Sequence, residues 1–160
     1  MVRYSLVCGV VVAAFTFNSQ ARAPSPEREA VTPAKNIRLD HSGHRRTGEA
    51  SFYAKRFAGR KMADGTRMDP HDDNAASKTL PLGTTAKVTN LETGQSATVT
   101  IQDRGPYVKG RIVDLSPSTA AKIGITKENG VAPVEVAPIA VPQPDGSVKP
   151  GAAVTGNGAD

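Results

Sequence analysis

Thr85-Ala86-Lys87-Val88-Thr89-Asn90 and Ala97-Thr98-Val99-Thr100-Ile101-Gln102 both alternate with a period of two. That period turns one face of a strand toward a core and the other toward water. Glu92-Thr93-Gly94-Gln95 joins them. The spacing predicts a hairpin whose turn holds Gly94 at a positive φ, where a Cβ is costly. Working outward, Ala50-Ser51-Phe52-Tyr53-Ala54, Arg111-Ile112-Val113-Asp114-Leu115 and Val131-Ala132-Pro133-Val134-Glu135-Val136 read as further short strands. Pro133 puts the last of these at an edge or a bulge. One helix is well signalled. Ser116 is its N-cap, Pro117 sits at N1, residues 119–123 form the body and Gly124 closes it. Asp73 to Ser77 reads as one more short turn of helix. Short strands, long loops and one or two helices predict a mainly β fold, a small barrel.

The barrel occupies only part of the 160 residues. Residues 1–23 read as a Sec-type signal peptide. A basic start is followed by the apolar run Leu6 to Phe15 and a late Ala21-Arg22-Ala23 cleavage pattern. Cys8 lies too early in that run to be an acylated lipoprotein cysteine. Cleavage near Ala23 is therefore expected to yield an exported, periplasmic or envelope protein without a lipid anchor. Residues 24–47 are polar and carry Pro24, Pro26 and Pro33, so they read as a disordered tether. His41 and His44 sit there without further ligands, as part of a solvated basic stretch. The domain is expected over 48–139, and 140–160 reads as a disordered Pro/Gly-rich tail.

The composition excludes several classes. No run reaches the roughly 20 apolar residues of a membrane span. The single cysteine excludes a disulfide framework and a cysteine zinc site. The net charge is +5, and loss of Arg3 and Arg22 with the leader lowers it by two. That is weaker than a nucleic-acid footprint and suits an anionic envelope surface.

Six segments occur in a specific order: Gly48-Glu-Ala-Ser-Phe-Tyr53, Gly59-Arg-Lys-Met-Ala-Asp-Gly65, Ala75-Ala-Ser-Lys-Thr-Leu-Pro-Leu-Gly83, Val88-Thr-Asn90, Asp103-Arg-Gly-Pro-Tyr107 and Gly110-Arg-Ile-Val-Asp-Leu-Ser116. Together they resemble the rare lipoprotein A family of bacterial envelope proteins, across essentially the whole domain. The resemblance implies a six-stranded double-psi β-barrel related to expansins and barwin-like domains. It also implies a septal-ring-type lytic transglycosylase that cuts peptidoglycan glycan strands, preferring strands without stem peptides. No metal or organic cofactor is implied, and the expected partner is the glycan strand, met by a monomer.

The residues make chemical sense beside that resemblance. Lytic cleavage needs an acid to protonate the glycosidic oxygen. The same group can then take the proton of the sugar 6-hydroxyl as the 1,6-anhydro ring closes. Asp103 ends a strand and enters Arg104-Gly105-Pro106-Tyr107, a turn that exposes its carboxylate at the barrel rim. The resemblance assigns catalysis to Asp103. Asp69 is the second candidate, able to bind sugar hydroxyls or tune Asp103 by like-charge proximity, or else to cap a loop before Pro70. Asp114, inside a strand, reads as structural. Tyr53 and Tyr107 are candidates for stacking on sugar faces, Arg104 for binding substrate. Lys55, Arg56, Arg60, Lys61, Arg67 and Lys78 bracket these segments as a basic rim.

The departures from the family pattern matter as much. Thr66 stands where the family usually has glutamate, and Ser77 where it usually has histidine. Both are kept as candidate substrate-binding positions, but neither side chain carries a proton at neutral pH. Phe52 replaces a frequent tryptophan. His71, six residues before Ser77, is a distant substitute. These losses keep open a rival reading, a non-catalytic expansin-like module that binds glycan or loosens the wall.

Overall fold

The computed structural model describes residues 37–156. The expected leader with Cys8 and the first part of the expected tether lie outside the described residues, as do the last four positions.

Seven strands form: β1 (Arg46–Phe52), β2 (Asn74–Ser77), β3 (Thr85–Asn90), β4 (Ser96–Asp103), β5 (Arg111–Leu115), β6 (Ala132–Pro142) and β7 (Val148–Pro150). Six of them close a barrel in the order β1-β5-β2-β4-β3-β6, with β6 returning to pair with β1. The β1–β5 and β2–β4 pairings are parallel, and the other pairings are antiparallel. β7 adds to the far end of β6 outside the ring. The expected barrel and the 90–96 turn are present, with Gly94 at φ 72°. Helix α1 (Pro117–Lys122) has Ser116 as its N-cap, whose hydroxyl accepts from the Thr119 N–H. A 3-10 turn (Lys55–Phe57) follows β1, and a short α2 (Ala152–Thr155) follows β7.

Alternation explains the interior. Ala86 and Val88 of β3, Val99 and Ile101 of β4, and Val113 and Leu115 of β5 are all buried in one cluster. Ala50, Ala75 and Ala132 fill the remaining space, which suits a barrel too narrow for large side chains. No aromatic of the described residues is in that inner cluster, although half-buried Phe52 packs against it. Asn90 is fully buried and satisfied. Its amide donates to the Ile123 carbonyl at 2.8 Å and its Oδ1 accepts from Glu92 N–H at 2.9 Å, tying the hairpin to the end of α1. The prolines of β6 also fall where they do least harm. Pro133 precedes the start of pairing with β3, and Pro138 lies at a register shift.

Three expectations are corrected. Residues 74–77 are not a helical turn but β2, buried at every position and paired on both sides. Tertiary pairing overrides the local preference of an Ala-Ala pair. Residues 140–156 are ordered. β6 runs to Pro142, a turn at Gly146 reverses the chain, and Gly151 N–H donates to the Ile139 carbonyl at 2.9 Å. The end of the expected tether is ordered too. Asp40 pairs with Arg46 at 2.6 Å, the His41 ring meets the Pro142 carbonyl at 2.9 Å, and Ala152 N–H donates to Gly43 O at 2.9 Å. The two flanks are ordered by hydrogen bonds to each other and to the barrel, with Val141 and Ala152 buried between them.

Gly151 is the tightest point of that clasp. A Cβ there would lie 2.3 Å from the Pro138 carbonyl oxygen, which is backbone and cannot step aside. Gly151→Ala should lower stability by about 1–3 kcal/mol, the usual cost of overpacking, read as a lower urea midpoint. An unchanged midpoint would show that the tail does not pack on the barrel.

Candidate active site

β4 carries one extra residue where it pairs with β2. Ala75 stands opposite Ile101, but the next β2 residue, Ala76, stands opposite Asp103. A strand without this bulge would send Ile101 and Asp103 to the same face. The bulge instead turns Asp103 to the face of Ala76, while Ile101 stays in the core. One row of paired positions then runs across four strands: Ser51, Asp114, Ala76, Asp103. The candidate acid therefore lies on the outer face of the barrel, at the end of β4.

A second cluster covers that wall: Tyr53, Met62, Met68 and Ala76, with Phe57 packed against it. Tyr53 and Phe57 meet edge to face, centroids 5.9 Å apart. The Tyr53 hydroxyl donates to Asp103 Oδ2 at 3.1 Å. The other oxygen, Oδ1, accepts from Ala63 N–H at 3.0 Å and Arg104 N–H at 2.8 Å. Three donors thus fix the carboxylate, and among the described residues it makes no ion pair. It opens into a hollow of about 170 Å³ walled by Tyr53, Phe57, Arg60, Lys61, Met62 and Met68. Burial, the Asp103 charge and the hydrogen bond to Asp103 push the Tyr53 phenol well above its ordinary pKa, so it stays a donor.

The loop that supplies the Ala63 donor is held by backbone bonds. Gly59 N–H donates to Met68 O at 2.8 Å, Met68 N–H to Arg60 O at 2.9 Å and Asp64 N–H to Gln102 O at 3.0 Å. Burial raises the Asp64 carboxyl slightly, but the Thr66 hydroxyl and N–H, at 2.7 and 2.8 Å, hold it below the usual carboxylate range.

The other candidates separate into distinct places. Thr66 is exposed, and its hydroxyl is taken up by Asp64. Ser77 is buried opposite Val113 of β5, on the other face of β2 from Ala76 and Asp103, and its Oγ accepts from Leu80 N–H at 3.3 Å. Asp69 caps its own turn by accepting from His71 N–H at 2.8 Å and does not wall the Asp103 hollow. Arg104 also differs from the expectation of a substrate ligand. Its Nη1 donates to the Leu80 and Ser77 carbonyls at 2.6 and 3.2 Å, so it ties the β2–β3 loop to the end of β4. Tyr107 is exposed and outside the hollow, its ring facing Lys78 Nζ at 6.0 Å. Asp114 is held by the Arg111 guanidinium in its own strand. Of the predicted set, Asp103 and Tyr53 meet. The Ala63 backbone donor escaped sequence reading because an N–H has no residue-type signature. Among the described residues, no group of three or more His, Cys, Asp or Glu is gathered for a metal.

The family described as lytic transglycolase, a double-psi β-barrel domain, matches residues 45–136, more than half of the chain. The chain belongs to the RlpA-like double-psi β-barrel family. The endolytic peptidoglycan transglycosylase RlpA of Pasteurella multocida is 51% identical to this RlpA-like chain over 84 residues, covering 52% of the chain and 29% of that relative. The probable endolytic peptidoglycan transglycosylase RlpA of Nostoc is 40% identical over 126 residues, covering 74% and 32%. The RlpA-like chain thus spans about a third of the length of these relatives. Among solved structures, a Streptomyces papain inhibitor aligns at 23% identity with a TM-score of 0.48, covering 64% of this chain and 97% of the inhibitor.

The Tyr53–Asp103 contact has a signed consequence for pH. The folded pKa of Tyr53 lies above its ordinary value of 10.0. Its contribution to stability is therefore complete below about pH 10 and declines as pH rises beyond the pKa of the unfolded chain. Urea midpoints measured from pH 9 to 11.5 should fall more steeply for the wild type than for Tyr53→Phe. Parallel slopes would mean that the phenol is free to ionise in the folded state.

Proposed function

We propose that this domain is a peptidoglycan lytic transglycosylase in which Asp103 is both acid and base. The observation that carries the reading is the bulge-directed placement of Asp103 in an open hollow on the outer wall, within a barrel of the lytic transglycolase family. Curated relatives named endolytic peptidoglycan transglycosylase support it.

In this scheme the Asp103 carboxyl gives a proton to the glycosidic oxygen as the bond from C1 to that oxygen breaks. The carboxylate so formed takes the proton of the 6-hydroxyl while O6 bonds to the same C1. A 1,6-anhydro sugar and a free hydroxyl result, without water as a reactant. Tyr53 and the Ala63 and Arg104 N–H groups hold the carboxylate at a fixed position through both transfers. Phe57 and the Met62 and Met68 side chains give the hollow apolar walls for sugar C–H faces. The substrate is a stem-free strand of alternating GlcNAc and MurNAc. Its lactyl carboxylates suit the Arg60 and Lys61 wall, and the chain acts as an exported monomer cleaved near Ala23.

The second reading is a glycan-binding or wall-loosening module without cleavage. It is favoured by Thr66 and Ser77, whose hydroxyls serve Asp64 and Leu80 and offer no titrating group. Digestion of stem-free strands followed by mass spectrometry separates the two, because only cleavage yields 1,6-anhydro ends. Asp103→Asn keeps the shape and the Tyr53 contact but removes proton transfer. It should lower cleavage by about 10²–10⁴-fold while leaving the urea midpoint and strand binding close to wild type. Equal cleavage by the variant would place the acid elsewhere, and binding without cleavage by the wild type would establish the module.

A further inference from the structure

A second, larger hollow of about 530 Å³ lies against the first. The two share Met68, and the chain between 53 and 58 serves both. Tyr53 and Phe57 face the Asp103 hollow, while Ala54, Lys55 and Ala58 face its neighbour. The 3-10 turn and Met68 are thus one ridge with a hollow on each flank. On the far flank, Met68, Pro70 and Pro117 make an apolar floor, with Lys55 and His71 as the charged or ionisable side chains along it. Lys55 makes no ion pair among the described residues, and the function above leaves this hollow unused.

We infer that the larger hollow holds the next sugars of the glycan strand whose cleavage point lies at Asp103, with Lys55 meeting a muramyl carboxylate. The inference rests on the function proposed above. An enzyme that cuts inside a polymer must hold sugars on both sides of the broken bond. The 170 Å³ around Asp103 leaves no room for that, whereas the neighbouring apolar hollow across the ridge, three times as large, does. Pyranose C–H faces and acetamido methyl groups bury well on alanine, proline and methionine. The occupant is also anionic, which matches a free lysine at the edge rather than a carboxylate.

The test measures affinity against strand length. The full chain carrying Asp103→Asn is titrated calorimetrically with stem-free GlcNAc–MurNAc oligosaccharides of four and eight sugars. The longer one should bind about tenfold more tightly, a gain typical of one added subsite. Ala58→Trp fills the larger hollow from an exposed position, and Lys55→Glu reverses its charge. Each should remove most of the gain from length and leave the four-sugar affinity within about twofold. A gain that survives both variants, no gain in their parent, or a loss equal at both lengths overturns the inference. Those results leave the Asp103 reading standing if 1,6-anhydro products are still released by the wild type. Failure of both oligosaccharides to bind overturns the inference and the proposed function together.

Discussion

A single extra residue in β4 decides what this barrel presents to solvent. Without it, Asp103 would follow Ile101 inward, and a carboxylate would have to be buried among valines and alanines at prohibitive cost. With it, the carboxylate joins Ala76 on the outer wall, and the barrel core keeps its alternation undisturbed. The other parallel pairing has a register shift of its own, between Glu49 and Ala50 of β1. That shift keeps Ala50 and Val113 together in the core. Both parallel seams are thus irregular, and the irregularity at β2–β4 is where the candidate chemistry sits.

The small size of Ala76 matters in the same way. It stands between Asp114 and Asp103 in the row across the sheet. A larger side chain there would fill the space that Tyr53 crosses to reach Asp103. The outer cluster then does two jobs. Tyr53, Met62 and Met68 bury apolar area on the wall, which stabilises the loop over 59–68. The same loop places the Ala63 N–H on the carboxylate. Stability of the loop and geometry of the acid are therefore coupled, and a change to Met62 would be felt at Asp103 without touching it.

Much of the barrel was legible in the sequence, because β3, β4 and β5 alternate cleanly and Ser116, Pro117 and Gly124 punctuate α1. β2 was not, since four small residues without alternation carry no period and its strand character comes wholly from neighbours 25 to 40 positions away. The flanks have the composition of loops, and what orders them is pairing and hydrogen bonding with each other and with the barrel strands. At the site, the motif marks Asp103 as a candidate, but the face it occupies is not legible, since a bulge leaves no mark on residue type. Arg104 illustrates the opposite error. A charged residue beside a candidate acid suggested substrate, yet its guanidinium holds two carbonyls of the chain itself.

The clasp between the two flanks has a mechanical consequence. Residues 41–45 and 142–152 are joined by His41 to Pro142 O, Lys149 to Ser42 O, Arg45 to Ala152 O and Ala152 N–H to Gly43 O. The chain at residue 41 and the chain at residue 152 therefore meet in one clasp. Tension applied between those two segments loads the clasp first. The ring of six strands lies off that line of force. The pairing that aims Asp103 would keep its register until the clasp itself gave way.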